Sequence, residues 1–433
     1  MKVFIETYGC QMNVADSELI MALLEKNDIT CTDDINAANI LIFNTCSVRQ
    51  HAEARVLGRI SNEMARKKTN PHLKIGVIGC MAQRLGEKLG KINPAIDFVV
   101  GVDQYAKLPE IIRQIVERED FLVETGINSN QMYQGIYPVH QGNFNAFVTI
   151  MRGCNNFCSY CIVPYTRGRE RSRPLPEILT EIRILGENGF KDITLLGQNV
   201  NSYNYNEINF AELLRKVNQI DTIRRIRFVT SHPKDLSEEV IEVMAESEKV
   251  CEHLHLGLQS GDDEILHRMN RGYKSSDFLK LVRDLRDAIP EIAITTDIIA
   301  GFPGETEQQF QHTVDLMQEI NFDYAFTFKF SPREGTAAAS LPDQLPREIR
   351  QERLQRLINL QEEITNRKYQ SQIGRIKEIY VERLSKKSDN EVSGKSRDFK
   401  ITVFPGNEIL MGKFVKVKII QATGWTLKGI MLD

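Results

Sequence analysis

Short apolar runs alternate with helical patterns in two separate blocks, and this alternation limits the fold more than any other feature of the sequence. In the first block the runs are KVFIETY, NILIFNT, LKIGVIG and IDFVVG, with helix-like stretches at Ser17–Glu25, Ala52–Lys67 and Gln83–Lys88 between them. Strands separated by helices pair in parallel and take the helices on their faces. The second block, about 144–340, holds FVTIMRG, DITLLG, RIRFVTS, HLHLGLQ, IAITTDIIA and YAFTFKFS, with helical patterns such as Pro176–Asn188 and Asp277–Ala288. A βα repeat of that number suits a barrel or partial barrel, whose chemistry sits at the C-terminal strand ends. The stretch 126–143 is rich in Gly, Asn, Pro and Gln and reads as a linker. Residues 347–372 form one long helical pattern with Ile349, Leu354, Leu357, Ile358 and Ile364 as its apolar stripe. Beyond Gly374, short alternating runs with Gly turns predict a small all-β, OB-like barrel. The expected fold is therefore α/β with a β tail, divided as 1–125, linker 126–143, 144–370 and 371–433. That division agrees with a length of 433 residues at roughly 150 per domain.

Charge is near balance, with 55 Lys+Arg against 58 Asp+Glu, so any nucleic-acid surface must be local. Residues 371–433 hold 12 Lys/Arg and 7 Asp/Glu, among them Arg375, Lys377, Lys386, Lys387, Lys395, Arg397, Lys400, Lys413, Lys416 and Lys418. This tail is a candidate phosphate-tracking surface, against the alternative of a solvated charged face. The N-terminal segment lacks the basic start and apolar stretch of a signal peptide, and no window is apolar enough to span a membrane. A cytoplasmic, non-membrane protein is expected, with its thiols reduced. Eight Cys in such a compartment point to metal or catalysis more than to disulfides. Cys31 and Cys251 stand alone and read as packing residues.

The other six Cys form two sets. Cys154, Cys158 and Cys161 lie in RGCNNFCSYC, directly after the first strand of the second block. Three thiolates in one loop can hold three corners of a 4Fe–4S cube and leave the fourth iron open. Structural zinc prefers paired Cys-x2-Cys units and four ligands, and only one such pair is present. Cys10, Cys46 and Cys80 each follow a predicted strand directly or within two residues. Parallel strands end on one edge, so these three converge in space, and a second 4Fe–4S cluster is the natural reading.

The Cys154–Cys161 spacing, with Tyr160 before the last Cys, resembles the radical S-adenosylmethionine (SAM) superfamily. That resemblance implies SAM chelated at the open iron and cleaved by one electron to Met and a 5′-deoxyadenosyl radical, which makes Cys154, Cys158 and Cys161 the catalytic centre as well as metal ligands. It also implies SAM contacts at later strand ends: Gly197 and Gln198, Gln259 and Ser260, and Gly301 and Pro303. Taken singly these Gly-rich ends are weak signals, since a strand-to-helix turn needs Gly anyway. A three-Cys N-terminal block, a radical-SAM block and a β tail together resemble the methylthiotransferase family, whose tail is called a TRAM domain. The run CIVPYTRGRERSR is most similar to the MiaB branch, which methylthiolates carbon 2 of isopentenyl-adenosine beside the tRNA anticodon.

The resemblance implies two 4Fe–4S clusters, two SAM per turnover, a tRNA anticodon stem-loop as partner, and a reducing donor such as a flavodoxin or ferredoxin; a monomer is expected. Alternatives are methylthiolation of threonylcarbamoyl-adenosine or of a ribosomal-protein aspartate, or a non-catalytic iron–sulfur RNA-binding protein. Arg167, Arg169, Arg171 and Arg173, if extended, would face one way and could grip phosphates; internal ion pairs are the competing reading.

Overall fold

The computed structural model describes residues 1–47, 50–118, 120–140, 144–386 and 388–432; side chains of 50–52 and 389 are not described. Lys387 and residues 141–143 of the expected linker lie outside the described residues.

The first block is a parallel sheet of six strands in the order β2-β1-β3-β4-β5-β6. These are β1 (Lys2–Tyr8), β2 (Thr30–Cys31), β3 (Ile40–Thr45), β4 (Lys74–Gly79), β5 (Phe98–Val100) and β6 (Leu122–Glu124). The helices are α1 (Gln11–Glu25), α2 (Gln50–Thr69), α3 (Cys80–Leu85), α4 (Lys88–Ile92) and α5 (Leu108–Glu117). Every residue of β3 is buried, because helices cover both sheet faces. Gln83–Lys88 is not one helix: α3 stops at Gly86, at φ +48°, before α4 begins. The segment after β6 has no regular structure through 140, yet it is strapped down. Tyr133 is buried and its hydroxyl donates to the Val102 carbonyl (2.6 Å), while His140 pairs with Glu18 (3.0 Å).

The second block begins with β7 (Asn145–Thr149), β8 (Met151–Arg152), α6 (Val163–Arg167), β9 (Arg171–Ser172), α7 (Leu175–Glu187) and β10 (Asp192–Leu196). A small ribbon, β11 (Asn204–Tyr205) and β12 (Ile208–Asn209), precedes α8 (Phe210–Asn218), β13 (Arg225–Phe228) and α9 (Glu238–Glu246). Next come β14 (His253–His255), α10 (Asp263–Arg268), α11 (Ser275–Ala288), β15 (Ala293–Ala300), α12 (Glu307–Ile320) and β16 (Tyr324–Lys329). Two parallel sheets, β7-β10-β13 and β14-β15-β16, are joined by single bridges at Ile226–Val250 and Ser231–Leu256, giving a six-stranded open barrel. Side-chain caps fix the helix starts: Ser237 accepts from the Val240 N–H and Thr306 from the Gln309 N–H.

The long helix α13 (Arg347–Gln370) packs on β15 and β16. Its buried stripe is Arg353, Leu357, Gln361, Ile364 and Thr365, whereas Ile349 is exposed. The stripe is part polar because Gln361 and Thr365 bond carbonyls of Phe322 and Asp323 at the start of β16. The tail is a closed antiparallel-and-parallel barrel of β17 (Ile376–Ser385), β18 (Ser388–Ser396), β19 (Ile401–Pro405), β20 (Phe414–Thr423) and β21 (Thr426–Met431). It docks under the open barrel: Arg225 and Arg227 donate to tail carbonyls of Lys395, Glu378, Arg397 and Ser396 at 2.7–3.0 Å. Among the described residues, no helix is long and apolar enough to cross a membrane.

Candidate functional site

The first cysteine set is built by register. Tyr8 pairs with Thr45, and Thr45 with Gly79, so three strands end on one line. Cys46 and Cys80 are the next residues and Cys10 stands at the start of α1, two past Tyr8. Gly79, at φ +92°, must be glycine: a Cβ there would lie 2.6 Å from the Thr45 carbonyl oxygen. Beneath the thiols, Asn13 and Asn44 exchange bonds (3.0 and 2.8 Å), and Asn44 also donates to Ser17 (2.9 Å). This buried polar layer has its bonds made internally, which rigidifies the strand ends. A hydrogen bond with Cys46 lowers the Cys10 thiol to about 6, against its burial and with help from Arg167. Burial pushes Cys80 up.

The second set is local. Gly153, at φ +78°, lets the chain pass where a Cβ would meet the Arg169 carbonyl at 2.1 Å. Cys154 N–H donates to Gly168 O (3.2 Å) and Cys161 N–H to Cys158 O (2.9 Å), folding the loop on itself. Asn270 clamps the carbonyls of Asn156 and Phe157 at 3.1 Å each. Burial raises Cys154 to about 11 and Cys161 to about 12.

Each set is backed by one buried arginine. Arg271 donates to Cys158 Sγ (3.3 Å) and to the Gly257 carbonyl (2.7 Å). Arg167 donates through Nε to Cys80 Sγ (3.2 Å) and through Nη2 to Asp16 (2.7 Å). Asp16 is fully buried and also pairs with Arg152 (2.8 Å). Burial opposes its charge, but Arg167 and Arg152 hold its carboxyl below the usual range. Arg167 ends the helix that follows Cys161, yet it touches Cys80 of the other block. Arg152 and Arg167, which flank the second cysteine loop in sequence, thus share Asp16 of the first block.

This overturns the phosphate-gripping expectation for three of the four arginines. Arg167 and Arg173 are buried and Arg171 is half-buried; Arg171 pairs with Asp103 (3.0 Å) and Arg173 with Glu181. The segment is not one extended strand, because α6 and a turn at Gly168 interrupt it. Only Arg169 among the four is exposed, over the Phe157 ring at 4.3 Å.

The other expected site residues lie past the ends of β10, β14 and β15. The Gln198 carboxamide accepts from the Gly153 N–H and so braces the cysteine loop. Gly197 lies against Met151, where a Cβ would be 2.4 Å from Cγ. Gln259, at φ +71°, exchanges backbone bonds with β15. Gly301 N–H donates to Glu305 (2.8 Å), and Pro303 is buried in the same turn. Ser260 is fully buried, 3.4 Å from the Thr313 hydroxyl, and accepts from the Asp262 N–H. Cys31 lies apart on β2, and Cys251 is buried just before β14.

In the tail, about half of the expected basic surface is engaged. Lys377 and Lys400 pair with Asp398, Lys400 also with Asp323, Lys395 with Glu382, Arg397 with Glu252 and Arg375 with Glu291. Lys386, Lys413, Lys416 and Lys418 are exposed.

All-sulfur donor sets fit an iron–sulfur cube. Among the described residues no three His, Cys, Asp or Glu side chains converge on a single ion. A cube does not require that convergence, since each thiolate takes a different iron corner.

Comparison with known proteins agrees with this geometry. Residues 148–317 match the Radical SAM superfamily, 2–101 the uncharacterized protein family UPF0004, and 370–432 the TRAM domain. The chain is 46% identical over 434 residues to the tRNA-2-methylthio-N(6)-dimethylallyladenosine synthase of Thermoanaerobacter sp. (strain X514), covering 99% of this chain and 92% of the relative. It is 48% identical over 433 residues to the synthase of the same name from Clostridium novyi (strain NT), covering 99% and 96%. The structure of the radical S-adenosylmethionine methyltransferase TsrM from Kitasatospora setae superposes with a TM-score of 0.56 at 15% identity, covering 75% of this chain and 72% of that one, a likeness of fold. With such identity over almost the full length of both chains, this chain belongs to the tRNA-2-methylthio-N(6)-dimethylallyladenosine synthase family of radical SAM enzymes.

Proposed function

We propose that the chain transfers a methylthio group to carbon 2 of isopentenyl-adenosine beside the tRNA anticodon, using SAM and two 4Fe–4S clusters. The observation that carries this reading is Arg167, which follows the Cys161 loop and donates to Cys80. Radical generation and sulfur transfer need adjacent centres, and this buried side chain ties the helix that leaves the Cys161 loop to Cys80. When bound, the clusters and SAM supply a carbon radical at one centre and a methylated sulfur at the other, with two SAM used per turnover.

The chain's own residues do the positioning. Cys154, Cys158 and Cys161 hold the SAM-cleaving cluster, and Arg271 donates to Cys158 in surroundings closed to water. Cys10, Cys46 and Cys80 hold the second cluster, with Arg167 donating to Cys80 and Asp16 fixing Arg167. Gly197, Gln198, Gln259, Ser260, Gly301 and Pro303 receive SAM. Residues 1–125 act as the sulfur-carrying unit, 126–143 as the linker, 144–370 as the radical unit and 371–433 as the RNA-holding unit. A flavodoxin or ferredoxin supplies electrons, and the enzyme works as a cytoplasmic monomer.

Mass spectrometry of tRNA nucleosides from cells with and without the gene tests the reading. Loss of 2-methylthio-isopentenyl-adenosine, with accumulation of isopentenyl-adenosine, is expected. An unchanged nucleoside profile contradicts it.

A further inference from the structure

Strand β16 carries its large side chains on the side away from its helix. Lys329 bonds Gln351 of α13 (2.9 Å), which places Ala325, Thr327 and Lys329 on the α13 face. Tyr324, Phe326 and Phe328 therefore point the other way, into the open barrel, beside their register partners Thr295, Asp297 and Ile299. Closed βα barrels fill this interior with packed side chains. Here Phe326 is 42% exposed and Phe328 38% exposed. Exposed large apolar groups in a concave face are the informative kind.

The rings continue in both directions. Tyr324 lies 4.6 Å from Phe326 and 4.8 Å from Trp425, ring centre to ring centre. Trp425 belongs to the β20–β21 turn of the tail barrel and is 42% exposed. At the other end, Ile299, the register partner of Phe328, packs in one apolar cluster with Tyr160 of the cysteine loop. His255 stands 5.9 Å from Phe326 and pairs with Asp297 (3.2 Å), so a polar pair borders the rings. Exposed Lys416, Lys418 and Lys428 lie on the two strands that the Trp425 turn joins.

We propose that Trp425, Tyr324, Phe326 and Phe328 form the stacking surface for the unpaired nucleotides of the substrate RNA. Phe326 and Phe328 take the reacting adenosine and its apolar N6 substituent, and His255 and Asp297 meet the base edge. The inference rests on the proposed activity toward isopentenyl-adenosine. The physical basis is general: single-stranded RNA is held by bases stacked on aromatic rings, with cations tracking the phosphates. A row that starts at a lysine-bearing barrel and ends at the cysteine loop suits an RNA loop better than a protein segment.

Trp425 is the only tryptophan, so its emission reports the row directly. The anaerobically reconstituted full chain is titrated with an anticodon stem-loop bearing isopentenyl-adenosine, and with a blunt duplex of the same stem. Quenching by the stem-loop and not by the duplex is expected. Phe326→Ala and Phe328→Ala should each weaken stem-loop binding about 5- to 150-fold, the range for one lost base stack, and leave duplex binding unchanged. Phe326→Tyr should restore affinity. Iron content and thermal midpoint establish that each variant is folded. Equal quenching by both RNAs, wild-type affinity in both Ala variants, or equal loss in Phe326→Tyr overturns the proposal. Absence of methylthiolated product from the wild-type chain would instead refute the proposed activity, and loop-dependent quenching would still be readable.

Discussion

The two cysteine sets reach the same donor chemistry by opposite routes. Cys154, Cys158 and Cys161 sit in one loop clamped by its own backbone and by Asn270. Cys10, Cys46 and Cys80 are brought together only by the register of three parallel strands. Each set has one buried arginine at a sulfur, but Arg271 belongs to the same block as its cysteine, and Arg167 reaches across from the other. The local site is self-sufficient, while the dispersed site depends on its neighbour for an N–H donor. That dependence ties the first block's cysteines to the block that matches the radical SAM superfamily.

Removing the thiols gives the largest effects. Cys154→Ala, Cys158→Ala or Cys161→Ala should abolish both 5′-deoxyadenosine formation and product. A triple Cys10, Cys46 and Cys80 to Ala change should abolish methylthiolation and retain part of the SAM cleavage. Chromatographic assay of both products would break the division of labour if the two sets of variants behaved alike.

The bridge comes next. Asp16→Ala leaves Arg152 and Arg167 buried without their carboxylate, a loss of about 3–5 kcal/mol for a broken buried pair. Chemical denaturation should show it, and iron bound by the N-terminal set should become easier to chelate than iron at the other. Arg271→Gln should reverse that order. Equal lability in both variants would remove the contrast drawn between the sets.

Thiol reactivity sharpens the same comparison. In metal-free protein at pH 7, Cys10, lowered to about 6, is mostly thiolate, whereas Cys154 and Cys161, at about 11 and about 12, are almost wholly protonated. Iodoacetamide should label Cys10 about 30- to 90-fold faster than Cys154 after allowing for the weaker nucleophile. The absolute rate at Cys10 should fall as pH drops below 6, because Cys10 then protonates, and its advantage should shrink as pH rises toward 11, where Cys154 ionises too. Peptide mapping that found Cys154 labelled first would contradict this.

The smallest effect is expected in the tail. Changing Lys416, Lys418 and Lys428 to Gln should lower the salt dependence of RNA binding by about 0.7–0.9 per lost phosphate contact. An unchanged slope would limit the tail to a structural role.

Much of this was legible in the sequence, and the failures have physical causes. Strand ends such as KIGVIG before Cys80 are continuous apolar runs, because both faces are buried. β18, SDNEVSGKS, carries little strand signal because its residues are mostly polar. Gly394 there lets the strand lie against the Tyr380 carbonyl, where a Cβ would be 1.9 Å away. The cysteines declared themselves through spacing, but their arginines did not. Arg271 follows Cys161 by more than a hundred residues, and Asp16 looks like any helical carboxylate. The alternate arginines of RGRERSR suggested an outward-facing row, and only the fold reveals that Asp16, Asp103 and Glu181 neutralise three of them. Pairing partners distant in sequence carry no local signal.

Iron and acid-labile sulfide analysis of the anaerobically reconstituted chain and its two triple-cysteine variants tests the central claim most directly. The account predicts about eight irons per wild-type chain and about four in each variant, one cube per cysteine set. About four irons in the wild type, with no further loss in the Cys10, Cys46 and Cys80 variant, would contradict it.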